Sequence, residues 1–200
     1  MAENNMTSKG TFALSHFRNS RAAKEQFEPV YLNLFTVEIA LPVGIGATDE
    51  QKNLLLENVT QINGLQSHSF PTSLVTQNYK WAQRRYAGGK PERTTMDIQI
   101  DFEVNLDRTN SPYVLKTLRQ WSDLVYDPLT GRTGLKRDYT ADWALITAYD
   151  RAGNPFWQWK LYQVFPMSAI QVPTWNYTSN DIWKISNWTL ACDYWDESII

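Results

Sequence analysis

The sequence predicts a β-dominated domain with a single helix, and three observations lead there. Long stretches alternate apolar and polar residues with period two. Gly, Asn, Asp and Pro punctuate those stretches at short intervals. Only the segment around 111–125 carries convincing helical spacing. The chain has 200 residues. That length suits one large β domain or two small ones, and it buries ~70% of the surface its unfolded form exposes. Folding therefore needs neither disulfides nor metals.

The elements follow in order. Residues 1–30 are polar and mixed in charge, and are read as an N-terminal arm that orders against a neighbour or stays disordered. A single β domain is expected over 31–200. Phe35, Val37, Ile39 and Leu41 alternate with Thr36, Glu38 and Ala40 as a half-buried strand, stopped by Pro42. Pro42 to Lys52, with Gly44 and Gly46, reads as a loop. Leu54 to Ile62 contains a short strand ending in the Asn63-Gly64 turn signal. Leu74 to Trp81 alternates again, and Met96 to Leu106 is the cleanest period-two run in the chain. The two are expected to pair as one long hairpin, turning at Gly88-Gly89.

Ser111 is placed to cap the helix and Pro112 to start it, with Val114, Leu118, Trp121 and Val125 on one face. Lys116 and Arg119 fall on its solvated side. After a Gly-rich loop over 131–139, strands are expected at Trp143–Tyr149, Phe156–Phe165, Ser168–Pro173 and Trp183–Trp195. Asp150 to Asn154 joins the first two as a hairpin. Cys192 falls on a strand face with Trp188, Leu190 and Tyr194, as a small buried hydrophobe.

Composition excludes several functions. Hydrophobic residues make up 42% and charged residues 20% of the chain, which argues against wholesale disorder. No apolar run approaches the ~18 residues of a membrane span, and Met1 to Gly10 lacks an apolar signal-peptide core. A lone cysteine excludes a disulfide framework and a cysteine zinc site. His16 and His68 lie far apart in unlike contexts, so no metal and no cofactor is expected. Gly-x-Ser-x-Gly is absent, and neither Gly88-Gly89-Lys90 nor Gly131 to Gly134 sits between a strand and a helix as a phosphate loop would. Asp101 and Glu103 stand about 7 Å apart along a strand, a spacing that a glycosidase pair also shows, but an acidic water-facing strand explains it more simply. The composition reads as a soluble protein, intracellular or part of a particle, and not a metalloenzyme, and no enzyme class rises above background in the motifs.

Two features ask for partners. The chain holds 9 Trp, 10 Tyr and 8 Phe, more than one core requires, with many in the last quarter. These suit buried contacts between subunits, or a stacking platform for sugars or single-stranded bases. Charge is also uneven. Lys80, Arg84, Arg85, Lys90 and Arg93 gather around the expected hairpin tip, while Asp142, Asp150, Asp181, Asp193, Asp196 and Glu197 load the C-terminal region. Opposite signs suit head-to-tail contact between copies. Nucleic-acid binding by the basic tip is the alternative, set against a net charge of −2.

The run Asn33-Leu34-Phe35-Thr36-Val37-Glu38-Ile39 resembles the first strand of tail tube proteins from contractile-tailed bacteriophages. Leu190-Ala191-Cys192-Asp193-Tyr194-Trp195-Asp196 resembles their closing strand. The order between them is similar as well: long hairpin, acidic strand, helix ending near Trp121, hairpin, then Phe165-Pro166. The arm and the extra residues over 42–52 depart from that pattern. The resemblance covers Tyr31 to Asp196. It implies an antiparallel β-sandwich or barrel-like tail-tube fold with one flanking α-helix, and a structural, non-catalytic subunit. Such subunits form homohexameric rings stacked into a tube, assembled in the host cytoplasm with sheath, baseplate and tail terminator proteins into a virion tail. DNA passes non-specifically through the lumen at genome ejection. Type VI secretion and bacteriocin tubes share the fold. On that footing Arg84, Arg85, Lys90 and Arg93 are ring-stacking candidates, and Asp97, Asp101 and Glu103 are lumen candidates. An aromatic-rich carbohydrate-binding β-sandwich of a phage or cell surface is the alternative reading.

Overall fold

A computed structural model describes residues 29–67, 74–87, 95–107 and 111–200. The chain divides into two compact units, Met1–Asn33 and Leu34–Ile200. All but the last two residues of the expected arm lie outside the described residues. Of the first unit, 29–33 are exposed coil and turn.

The second unit is mainly β. Its strands are β1 (Phe35–Ile39), β2 (Val59–Asn63), β3 (Leu74–Asn78), β4 (Gln83–Ala87), β5 (Met96–Glu103), β6 (Tyr126–Asp127), β7 (Arg132–Thr133), β8 (Ala141–Tyr149), β9 (Pro155–Pro166), β10 (Lys184–Cys192) and β11 (Tyr194–Ile199). Three helices accompany them among the described residues: α1 (Asp49–Glu57), α2 (Tyr113–Val125) and the single turn α3 (Lys136–Tyr139). The main sheet runs β1-β8-β9-β10-β5-β2, with β11 also on β9, and every pairing is antiparallel.

β9 is what joins the two halves of this sheet. Its first ten residues pair β8 and β11, and its last two, Phe165 and Pro166, pair β10. The β8–β9 hairpin turns where the sequence predicts. One Asp150 carboxylate oxygen accepts the N–H groups of Ala152 and Asn154 at 2.8 Å each, and Gly153 takes φ +85°.

The inner faces make one core. Val37 and Ile39 of β1, Ala144 and Ile146 of β8, and Leu161 of β9 meet Met96, Ile98, Ile100 and Phe102 of β5 and Ile185, Trp188 and Leu190 of β10. α2 closes it with Tyr113, Val114, Thr117, Leu118 and Trp121 buried on one face. The Trp188 ring stands 5.8 Å from Phe102 and 5.6 Å from Trp121. Cys192 is buried and donates to the Met96 carbonyl at 3.1 Å.

Several expectations need correction. The loop read over Pro42 to Lys52 holds a 3-10 turn at Val43–Ile45 and the start of α1, while the short strand expected within Leu54 to Ile62 is present as Val59–Asn63. Residues of good helix propensity and the burial of Leu55 outweigh the glycine signal. Ser111 does not cap α2; its N–H is held by the Asp107 carboxylate at 2.9 Å. The 131–139 loop contains β7 and α3. Ser168–Pro173 forms no strand, being part of a coil that spans 167–183. The last run breaks at Asp193 into β10 and β11, so Tyr194 is 44% exposed rather than in the core.

The long hairpin is present with different pairing. Val59–Asn63 pairs the acidic strand, and Leu74–Asn78 pairs Gln83–Ala87. The order is that of one interrupted hairpin with its tip at 79–82. Gly88-Gly89 lies outside the described residues.

Candidate assembly surfaces

The outer end of that hairpin is the most unusual surface. Every residue from 74 to 87 is exposed, although Leu74, Val75, Tyr79, Trp81 and Tyr86 are apolar or aromatic. An isolated two-stranded hairpin is only marginally stable in water. Apolar side chains held out on one mark a contact site.

The tip is a tight turn in which the Tyr79 N–H donates to the Ala82 carbonyl at 2.7 Å. It presents Lys80 and Trp81, the latter 90% exposed. The Lys80 ammonium lies 5.6 Å from the Trp81 ring, and the Arg84 guanidinium lies 5.8 Å from the Tyr79 ring. Sequence reasoning passed over Trp81. Tyr79-Lys80-Trp81-Ala82 contains none of the usual turn residues, so nothing marked it as a tip.

The structure separates the ring-stacking candidates. Arg84 pairs in register with Gln77 and Arg85 with Thr76, so they point to opposite faces of the hairpin. Arg84 shares its face with Val75, Gln77 and Tyr86. Arg85 shares the other with Leu74, Thr76 and Asn78. Lys90 and Arg93 lie outside the described residues.

The lumen candidates do share one face of β5, opposite the buried Met96, Ile98, Ile100 and Phe102. That face continues across Gln61 and Asn63 of β2 and Lys184 and Thr189 of β10. Its three acids are not equivalent. Asp97 is exposed. The half-buried Asp101 accepts the Asn187 N–H at 2.6 Å, where β10 bulges between Ile185 and Trp188 and Asn187 takes φ +54°. Its carboxylate holds a strained left-handed residue in place. Glu103 accepts from the Asn105 amide at 3.3 Å.

The last-quarter aromatics divide by depth. Trp159 and Trp188 are buried and Trp157, Trp183 and Trp195 half-buried. Trp175 and Tyr177 are exposed on the 167–183 coil, with Trp175 edge-on to Trp183 at 5.7 Å. Tyr162 and Tyr194 stack at 4.5 Å and 12° across β9 and β11. No group of three or more His, Cys, Asp or Glu that could hold a metal gathers among the described residues. No helix there is long and apolar enough to cross a membrane.

No family model and no curated protein matches the sequence. Solved structures do match by fold. The anti-feeding prophage cap, which terminates that particle's tube, aligns with a TM-score of 0.53 at 16% identity over 87% of this chain and 93% of its own. The sheath–tube complex of an extracellular contractile injection system in its extended state gives 0.52 at 17% identity, over 95% of this chain and all of the other. The sheath/tube terminator of that system gives 0.50 at 16%, over 86% and 98%. At such identities the likeness is one of fold, and it spans nearly the whole of each chain.

Proposed function

We propose that this chain is a structural, non-catalytic subunit of a tail tube. Copies form hexameric rings that stack into a hollow tube within the contractile tail of a phage or a related injection particle. Sheath, baseplate and terminator proteins are its further partners, and the tube is assembled in the host cytoplasm. One observation carries the reading: a hairpin whose residues from 74 to 87 are all exposed although they include five large apolar or aromatic side chains and three basic ones, on a fold shared with tube-end and sheath–tube components. A subunit built to be finished by its neighbours needs such an unpaired element, because joining edges between copies hides open backbone.

In this reading the polar face of β5 lines the channel, with Asp97, Asp101 and Glu103 toward the lumen. Duplex DNA carries about one negative charge per 1.7 Å, and basic walls would hold it by counterion release. Acidic walls repel it, so it slides. Electron microscopy of the purified full chain is the test. Rings or tubes with the β5 face inward are expected. Persistent monomers at high concentration, or rings with that face outward, reject the tube or the lumen assignment respectively.

A further inference from the structure

Elsewhere on the same domain there is a recess. An open cleft of about 300 Å³ lies between the chain leaving β1, the C-terminal part of α2 and the α3 turn. Its apolar wall is Leu41, Pro42, Val43 and Leu124, and its rim carries Arg137, Asp138 and Asp142, a net acidic set. Gly44 shapes the wall: a Cβ there would lie 3.2 Å from a Leu124 methyl. Arg137 pairs with Asp138 at 3.4 Å, while Asp142 has no ion-pair partner among the described residues. Val43, at the mouth, is 97% exposed. The volume is at the lower end of the ~300–1,000 Å³ typical of ligand sites, and an indole ring is of a size to enter it.

We propose that the tip of one copy seats in this cleft on a second copy, with Trp81 against Leu41, Val43 and Leu124 and Lys80 toward Asp142. The tip offers a nearly naked indole flanked by Lys80, Arg84 and Arg85, none of which pairs with an acid among the described residues. The cleft offers an apolar wall with an unpaired acid at its edge. Tryptophan is among the residues enriched at interface hot spots, which sit in well-packed pockets, and complementary charge at the edge fixes register. Because knob and cleft are different patches of one chain, the contact is heterologous and repeats from copy to copy. The inference rests on the self-assembling reading above and names the residues that make one of its contacts.

Two surface variants test it. Trp81→Ala keeps the cleft and loses the knob; Asp142→Arg keeps the knob and repels Lys80. Each is expected to weaken assembly roughly tenfold or more, stopping at a single unit, whether a monomer or one ring. Mixed in equal amounts, they retain one intact tip and one intact cleft per pair, and light scattering should show that unit doubled. Lys80→Glu combined with Asp142→Arg in one chain should restore assembly. Wild-type assembly by folded Trp81→Ala, or a mixture that stays at the mass of the separate variants, overturns the proposal. Should the wild-type chain not assemble at all, the tube reading fails on its own. The contact is then read by bismaleimide cross-linking of Ala82→Cys to Val43→Cys chains. A one-to-one adduct supports it, and none removes it.

Discussion

Two tryptophans in one cluster should respond unequally to the same substitution. Trp121 and Trp188 are both fully buried and stand 5.6 Å apart. The Trp121 indole N–H donates to the Tyr139 carbonyl at 2.7 Å. The Trp188 indole N–H has no partner among the described residues. Replacement by Phe removes the same atoms at each site, so the lost packing is similar and largely cancels in the comparison. The hydrogen-bond terms do not cancel. Trp121→Phe gives up a bond worth about 1 kcal/mol. Trp188→Phe relieves an unsatisfied donor that costs the native state roughly 1–3 kcal/mol. Trp121→Phe should therefore be the less stable by about 2–4 kcal/mol. With a urea slope of roughly 2 kcal/mol/M, the midpoints should stand about 1–2 M apart. Trp188→Ala calibrates the pair, since losing a core aromatic costs about 3–5 kcal/mol of a total near 5–15. Equal midpoints for the two Phe variants, or a lower one for Trp188→Phe, would refute the reasoning.

Three further outcomes are expected. Asp101→Ala should cost about 1.5–3 kcal/mol in chemical denaturation by freeing the Asn187 bulge, whereas Asp97→Ala on the same face should stay within about 0.5; equal effects would undo the distinction between the two acids. Gly64→Ala should unfold the chain or cost well over ~2 kcal/mol in thermal melts, because Gly64 holds φ +90° and a Cβ there would sit 2.4 Å from the Asp97 carbonyl; a melting point within a degree of wild type contradicts that geometry. Burial pushes the Cys192 thiol above its ordinary range, and the Asp97 and Asp193 carboxylates push it the same way. A value raised in the folded state contributes stability below the unfolded value of ~8.5 and loses it as pH climbs toward the folded one. Thiol reagents should leave the native chain unmodified at pH 8 and label it at once in denaturant, and rapid native labelling would place the thiol at the surface.

Periodicity revealed the parts of the fold in which one face is buried. β1, β5 and α2 were legible because Val37, Ile39, Met96 to Phe102 and Val114 to Trp121 each line one side of an element against the core. The β8–β9 turn was legible because Asp150 and Gly153 supply their own local chemistry. Pairing partners were harder. The tip at 79–82 lacks turn residues, while Gly88-Gly89 offers a conspicuous but different candidate, so Leu74–Trp81 was matched to the wrong strand. Tyr194 was misplaced because the break at Asp193 lets the chain leave β5 and follow β9, which local alternation does not record. Site residues were legible by type and not by direction. Adjacency suggested that Arg84 and Arg85 act together, but strand register sends them to opposite faces. Asp101 looked like any acid of a water-facing strand, since the Asn187 backbone it holds lies 86 residues away.

That division of labour on β5 bears on how an acidic channel wall can be built at all. A carboxylate engaged by a backbone N–H, like Asp101, is fixed by the fold and would be kept whatever the face looks out upon. An exposed one, like Asp97, contributes little to stability and is free to answer to what passes in front of it. If the β5 face lines a channel, its effect on a polyanion should follow Asp97 and Glu103, and should weaken as salt shortens the screening length from about 10 Å at 0.1 M. Asp101→Lys is therefore a poor probe of the channel, because its fold defect arrives first. Asp97→Lys with Glu103→Lys leaves the Asn187 bulge intact and reverses the wall. Assembled tubes of that double variant should deliver DNA slowly at low salt and recover as salt is added. Unchanged delivery from such tubes would show that the face does not meet the cargo.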